Sequence, residues 1–198
     1  METRSRTDVS PLGAGALAGS SLPIDPLMTS EFLGFSETFK NSLDAVSDRD
    51  FVAEAIFANA LLAVHLSRIG EELVLWSSEE FGFVEIDDAY TTGASMLPQK
   101  KNPDIAELAR AKTGRIVGHL TGLLTVLKGL PLTYNKDLQE DKEPLFDSFD
   151  TNTLVLTALT GIFDSITFNK EKMAEAADKH FSVAIDLAEY LVLSLIQI

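Results

Sequence analysis

Thr91-Thr92-Gly93-Ala94-Ser95-Met96-Leu97-Pro98-Gln99-Lys100-Lys101-Asn102-Pro103-Asp104 separates two long apolar segments and carries the densest polar chemistry in the chain. Gly93 frees the backbone, and Pro98 and Pro103 each push the residue before them out of helical geometry, so the stretch reads as a loop. A helix is expected directly after it, with Asn102 or Pro103 at the cap and Asp104 and Glu107 complementing its positive end. A glycine loop feeding a helix N-terminus, with backbone N–H groups, Lys100 and Asn102 turned one way, makes a candidate anion trap. The plainer alternative is a solvated loop lysine, a capping asparagine and a first-turn glutamate.

Working outward, the segment before the loop is apolar on most faces from Phe51 to about Glu80, through Ile56, Ala60, Leu66, Leu73 and Trp76. A helix of that kind is expected to be buried, in a chain this small against other subunits. Ahead of it a helical pattern runs from Thr29 to Ser47, and Ser47-x-x-Asp50 reads as a capping box for the long helix. Residues 1 to about 30 hold Pro11, Gly13, Gly15, Gly19, Pro23 and Pro26, too closely spaced for a stable helix, and read as an irregular arm. After the loop, Ile105 to Lys128 predicts a second long helix closed by Gly129 and Pro131. Gly114, Gly118 and Gly122 give it a stripe without side chains, which predicts close helix approach. Asp137 to Phe168 predicts a third, Lys170 to Asp178 a short charged one, and Ser182 to about Leu195 a last one. No segment alternates with period two, so the fold is expected to be all-α, a bundle of long helices. Its organisation reads as an arm (1–30), a central bundle holding the loop (31–168, loop 91–104), and short C-terminal helices that begin a further domain (169–198).

The 198 residues are 45% apolar and 23% charged, the profile of a globular chain. A net charge of −14 argues against nucleic acid or an anionic membrane as partner. The absence of cysteine removes disulfides, thiolate zinc sites and cysteine nucleophiles. The first residues lack the apolar core of a signal peptide, and no apolar run is judged to reach the roughly 18 residues of a membrane span. A cytoplasmic protein is the resulting expectation. The three histidines, His65, His119 and His180, are isolated and read as packed or surface residues without metal-ligand spacing.

Gly93 to Pro103 resembles the signature loop of the fumarase/aspartase superfamily, and its Gln-Lys-Lys-Asn-Pro-Asp form resembles the argininosuccinate lyase and delta-crystallin family. A second block, Leu130-Pro131-Leu132-Thr133-Tyr134-Asn135-Lys136-Asp137-Leu138-Gln139-Glu140-Asp141-Lys142-Glu143, is similar to the same family. Weaker likeness runs through Pro11 to Gly19, Ser47-Asp48-Arg49-Asp50-Phe51-Val52, and Asp186 to Val192. The resemblance implies the cleavage of argininosuccinate to arginine and fumarate, without metal or organic cofactor, in a homotetramer whose active sites are shared between subunits.

By that resemblance Lys100 and Asn102 grip the succinyl carboxylate as negative charge grows on it. Glu107 pairs with a histidine of another subunit. Tyr134, Gln139 and Lys142 hold the arginine end, while Asp141 and Glu143 read as solvated charges or helix-start residues. The family's loop places a serine base directly after the glycine. This chain has Ala94 there, and Ser95 matches the family's second serine. Ala94 cannot take a proton, and the family's N-terminal region with its catalytic histidine has no counterpart. The chain is therefore expected to be impaired as an enzyme. The alternative is a non-enzymatic, delta-crystallin-like structural or oligomerisation protein of the same fold.

Overall fold

The computed structural model describes residues 2–177, 179 and 183–194. It divides into two compact units, each discontinuous in sequence: Met1–Arg68 with Ala109–Leu156, and Ile69–Leu108 with Thr157–Ile198. The described residues are dominated by helices, with only short strand pairs between them, so the all-α expectation holds.

In the first unit the arm is short but tied down. Helix α1 (Glu2–Arg6) leads into β1 (Val9–Ser10), which pairs in parallel with β2 (Glu37–Thr38). Ser10 and Ala14 are buried there. The helix foreseen from Thr29 to Ser47 is instead two pieces, α2 (Pro26–Leu33) and α3 (Ser42–Ser47). Asp25 caps α2 by accepting from the N–H groups of Leu27 and Met28, and Gly34 ends it at φ 79°, a left-handed conformation that glycine adopts at little cost. A continuous apolar pattern thus concealed a stop.

Helix α4 (Asp50–Trp76) follows. Its first N–H is capped by Asp48, whose Oδ1 accepts from Asp50 N–H at 3.0 Å. The foreseen Ser47 cap does not form, because the Ser47 hydroxyl donates back to the Asp44 carbonyl at 3.3 Å. Val52 and Ile56 pack with Leu123 of α5 (Asp104–Leu127), flanked by Leu120, Leu127 and Leu145. Ala60, Ala63 and Ile116 form the next layer. Removing a fully buried aliphatic side chain such as Ile56 from water is worth about 1.5–3 kcal/mol, so these layers hold the unit together. Polar ties cross the same seam. Asn59 donates to Ser148 Oγ at 2.9 Å, and Asn152 donates to the Asn59 carbonyl at 2.9 Å. These last partners lie on α6 (Lys142–Ser165), which a 3-10 turn over Lys136–Asp141 introduces.

By length and composition α4 meets the requirement for crossing a bilayer, contrary to the reading that no run was long enough; one third of the qualifying window is buried in the protein. Its buried Asn59 is hydrogen-bonded to Ser148 of α6.

In the second unit β3 (Val84–Glu85) pairs antiparallel with β6 (Thr167–Phe168), and Phe81 and Phe83 meet edge to face with centroids 5.4 Å apart. Leu73, Val84, Ile86, Ala106, Leu159 and Ile162 are its buried apolar residues. A 3-10 turn (Asp88–Tyr90) leads into β4 (Thr92–Ala94) and β5 (Leu97–Asn102). The last described helices are α7 (Lys170–Ala177) and α8 (Ala184–Leu193), close to the two foreseen helices. Asp178 and His180 lie outside the described residues.

Candidate functional site

The central stretch is a hairpin. β4 and β5 are antiparallel, with Thr92 opposite Asn102 and Ala94 opposite Leu97, so Ser95 and Met96 form the turn. An irregularity between Thr92 and Ala94 shifts the register. The period-two signal was hidden by the glycine and prolines, which read as loop residues in sequence and are tolerated in a short strand pair at the surface. Met96 at the turn is 90% exposed, and Ser95 beside it is exposed as well.

Strand geometry then sorts the two lysines. Successive side chains of a strand point to opposite faces, which puts Lys100 and Asn102 on one face and Lys101 on the other. Lys101 is engaged: its Nζ lies 2.9 Å from Glu85 Oε1 and 2.6 Å from Asp88 Oδ1. Its hydrogen bonds to Asp88 and then to Glu85 raise its pKa well above the ordinary lysine value. Lys100 is exposed and Asn102 half-buried, so the pair foreseen as an anion grip shares a face of β5.

The base of the hairpin is fixed at three points. Besides the Lys101 pairs, the Thr92 hydroxyl donates to Asp104 Oδ2 at the start of α5. Gly161 of α6 sits so close to the Tyr90 ring that a Cβ there would overlap the Tyr90 hydroxyl end. Glu107 lies in the first turn of α5, exposed, with its backbone N–H on the Pro103 carbonyl at 3.0 Å. Helix α5 begins at Asp104, directly after the foreseen cap positions.

Tyr134, Gln139 and Lys142 do come together. Gln139 Nε2 donates to the Tyr134 hydroxyl at 2.6 Å, and Lys142 Nζ reaches Gln139 Oε1 at 3.5 Å. The 3-10 turn over Lys136–Asp141 brings Gln139 and Lys142, three positions apart, onto one face. Thr133, just before, is the one non-glycine residue with positive φ among the described residues, at 76°. Its left-handed backbone turns the chain sharply into the trio. The loop belongs to one compact unit and the trio to the other.

Two members of this cluster escaped the sequence reading. Asp141 is not solvated: its side chain is 8% exposed, with Oδ1 3.0 Å from Lys142 Nζ and Oδ2 2.6 Å from Arg49 Nε. Arg49 itself is 14% exposed and donates further to the Asp48 carbonyl at 2.6 Å. The signal was present in the Ser47-Asp48-Arg49-Asp50 block, but its partner lies 92 positions away.

Of the histidines, His65 is exposed on α4. His119 Nε2 lies 2.6 Å from Asp147 Oδ2, and Arg115 Nε donates to the same oxygen at 2.6 Å. Burial opposes the charge on Asp147, yet the hydrogen bonds from His119 and Arg115 outweigh it and hold its pKa below the usual carboxylate range. No cluster of three or more metal-ligating side chains occurs among the described residues.

A family model described as lyase matches residues 1–118. Argininosuccinate lyase from Frankia casuarinae is 62% identical over 187 residues, which cover 94% of this chain and 40% of that protein. A solved structure of EDDS lyase in complex with formate superposes with a TM-score of 0.89 at 36% identity, over 98% of this chain and 38% of that one. A class II fumarase from Schistosoma mansoni shares the fold, with a TM-score of 0.76 at 16% identity over 90% of this chain and 43% of its own. The chain thus spans about two fifths of the length of the curated relative it matches.

Proposed function

The chain belongs to the lyase family, and from that premise we propose that it forms the central part of an argininosuccinate lyase, which eliminates arginine from argininosuccinate to leave fumarate. The single observation that carries the reading is the assembled trio, in which Tyr134, Gln139 and Lys142 hydrogen-bond in series. An arginine end carries both an amino-acid carboxylate and cationic nitrogens. Such a zwitterion needs donors and acceptors side by side, and an ammonium, an amide and a phenol supply both.

The reaction removes a proton from the carbon next to a carboxylate and then expels the guanidinium nitrogen. Negative charge builds on that carboxylate in the intermediate, so fixed positive charge and N–H donors must face it. Lys100 and Asn102, on one face of β5, fill that role, and closure of the hairpin excludes water. Glu107 orients a histidine supplied by another subunit. Ser95 stands beside the substrate at the hairpin turn. Ala94 occupies the position of the proton-abstracting serine, so this chain binds substrate far better than it turns it over.

We further assign it to a cytoplasmic homotetramer. Supporting this, α4 and α6 expose Phe57, Leu61, Val64, Phe146, Phe149 and Leu154, an apolar burden beyond that of scattered surface residues. The test is calorimetry of the assembled protein with argininosuccinate. Heat of binding supports the lyase reading; its absence would favour a purely structural protein of the same fold.

A further inference from the structure

We propose that Arg49 and Asp141 are positioning residues for the arginine-end pocket: a buried ion pair that aims the Lys142 ammonium at the substrate. The proposal rests on the reading of Tyr134, Gln139 and Lys142 as that pocket. Asp141 uses its two oxygens for two different tasks. Oδ2 takes Arg49 Nε at 2.6 Å, inside the protein, and Oδ1 takes Lys142 Nζ at 3.0 Å, at its half-exposed edge.

Arg49 cannot slide away, because its Nη1 donates to the Asp48 and Val46 carbonyls at 2.6 and 3.4 Å. A carboxyl as enclosed as Asp141 needs such a partner to offset the cost of its burial. The fixed anion in turn restrains a lysine whose flexible stem otherwise samples many rotamers. Of the three N–H groups on Lys142, one goes to Asp141 and one to Gln139 Oε1 at 3.5 Å, leaving one for a ligand carboxylate. A pair that only tied the start of α4 to the start of α6 would require Oδ2 alone. The second oxygen, reaching Lys142, is what links the pair to the pocket.

The experiment titrates the assembled protein with L-arginine and, separately, with fumarate, using the unmodified chain, Asp141→Glu, Lys142→Met and the double variant. Asp141→Glu keeps the charge opposite Arg49 and shifts the carboxylate by one methylene, and circular dichroism verifies folding. It is expected to weaken L-arginine binding about tenfold or more while leaving fumarate affinity within about twofold. In the Lys142→Met background it adds no further loss, because the group it positions is gone. Arg49→Lys, which keeps the charge but not the fork of donors, gives an intermediate loss in arginine affinity alone. Unchanged arginine affinity in Asp141→Glu, or an equal loss with and without Lys142, overturns the positioning role and leaves the lyase reading standing. An unmodified chain that takes neither ligand removes that reading, and this proposal with it.

Discussion

The residue on which the proposed chemistry turns most sharply is Ala94. On the proposed reading it stands where the family's loop places a serine base, and alanine has no group to accept a proton. In the assembled protein, Ala94→Ser is expected to raise argininosuccinate cleavage by about two to four orders of magnitude, followed by the absorbance of fumarate. Equal rates would show that Ser95 or another group carries the step. A second prediction concerns Asp147, whose pKa is lowered in the folded protein. A depressed carboxylate contributes stability above its unfolded pKa of about 3.9 and loses it as pH falls through the lower folded value. Denaturant midpoints of Asp147→Asn should therefore fall short of the unmodified protein at pH 7 and converge with it in strong acid. At this scale the meeting of Tyr134, Gln139 and Lys142 was legible because the three are near neighbours in sequence. The pairing of Asp141 was not, since its partner Arg49 is far away in the chain.

Among the elements, the long helices were readable because their apolar residues recur with the helical period, and α5 and α6 lie within a few residues of their expected limits. What escaped were the places where single residues override a pattern: Gly34 stopping α2, and a hairpin built from residues that look like loop. The hairpin base yields two predictions. Lys101→Met should speed amide hydrogen exchange across 92–102 with little change in melting temperature, because its partners Glu85 and Asp88 are well exposed. Unchanged exchange would mean that Thr92 and Tyr90 suffice to hold the base. Gly161→Ala inserts a Cβ into the Tyr90 ring and should cost about 1–3 kcal/mol in thermal unfolding. Tyr90→Ala on that background should add little, since the two changes share one contact.

For the whole molecule, the glycines of α5 set up a contrast. Beyond the helix's own backbone, no atom of the described residues lies within 4 Å of a Cβ added at Gly114, Gly118 or Gly122, so the close approach foreseen from their spacing is not made among them. Gly118→Leu should leave the helix intact, even favour it by nearly 1 kcal/mol in propensity, and still lower the mass measured by light scattering if another copy docks on that stripe. An unchanged mass would place the subunit contacts elsewhere. The Arg49–Asp141 pair bears on how the pocket is made. Its halves enter the growing chain 92 positions apart, so a short peptide spanning Tyr134 to Lys142 would carry the trio proposed to meet the arginine end and still lack the Arg49 side chain that holds Asp141 in place. On the proposed reading, the aim of the lysine is complete only once distant segments have met, and a break anywhere between those two positions would leave it unaimed unless the severed pieces found each other again.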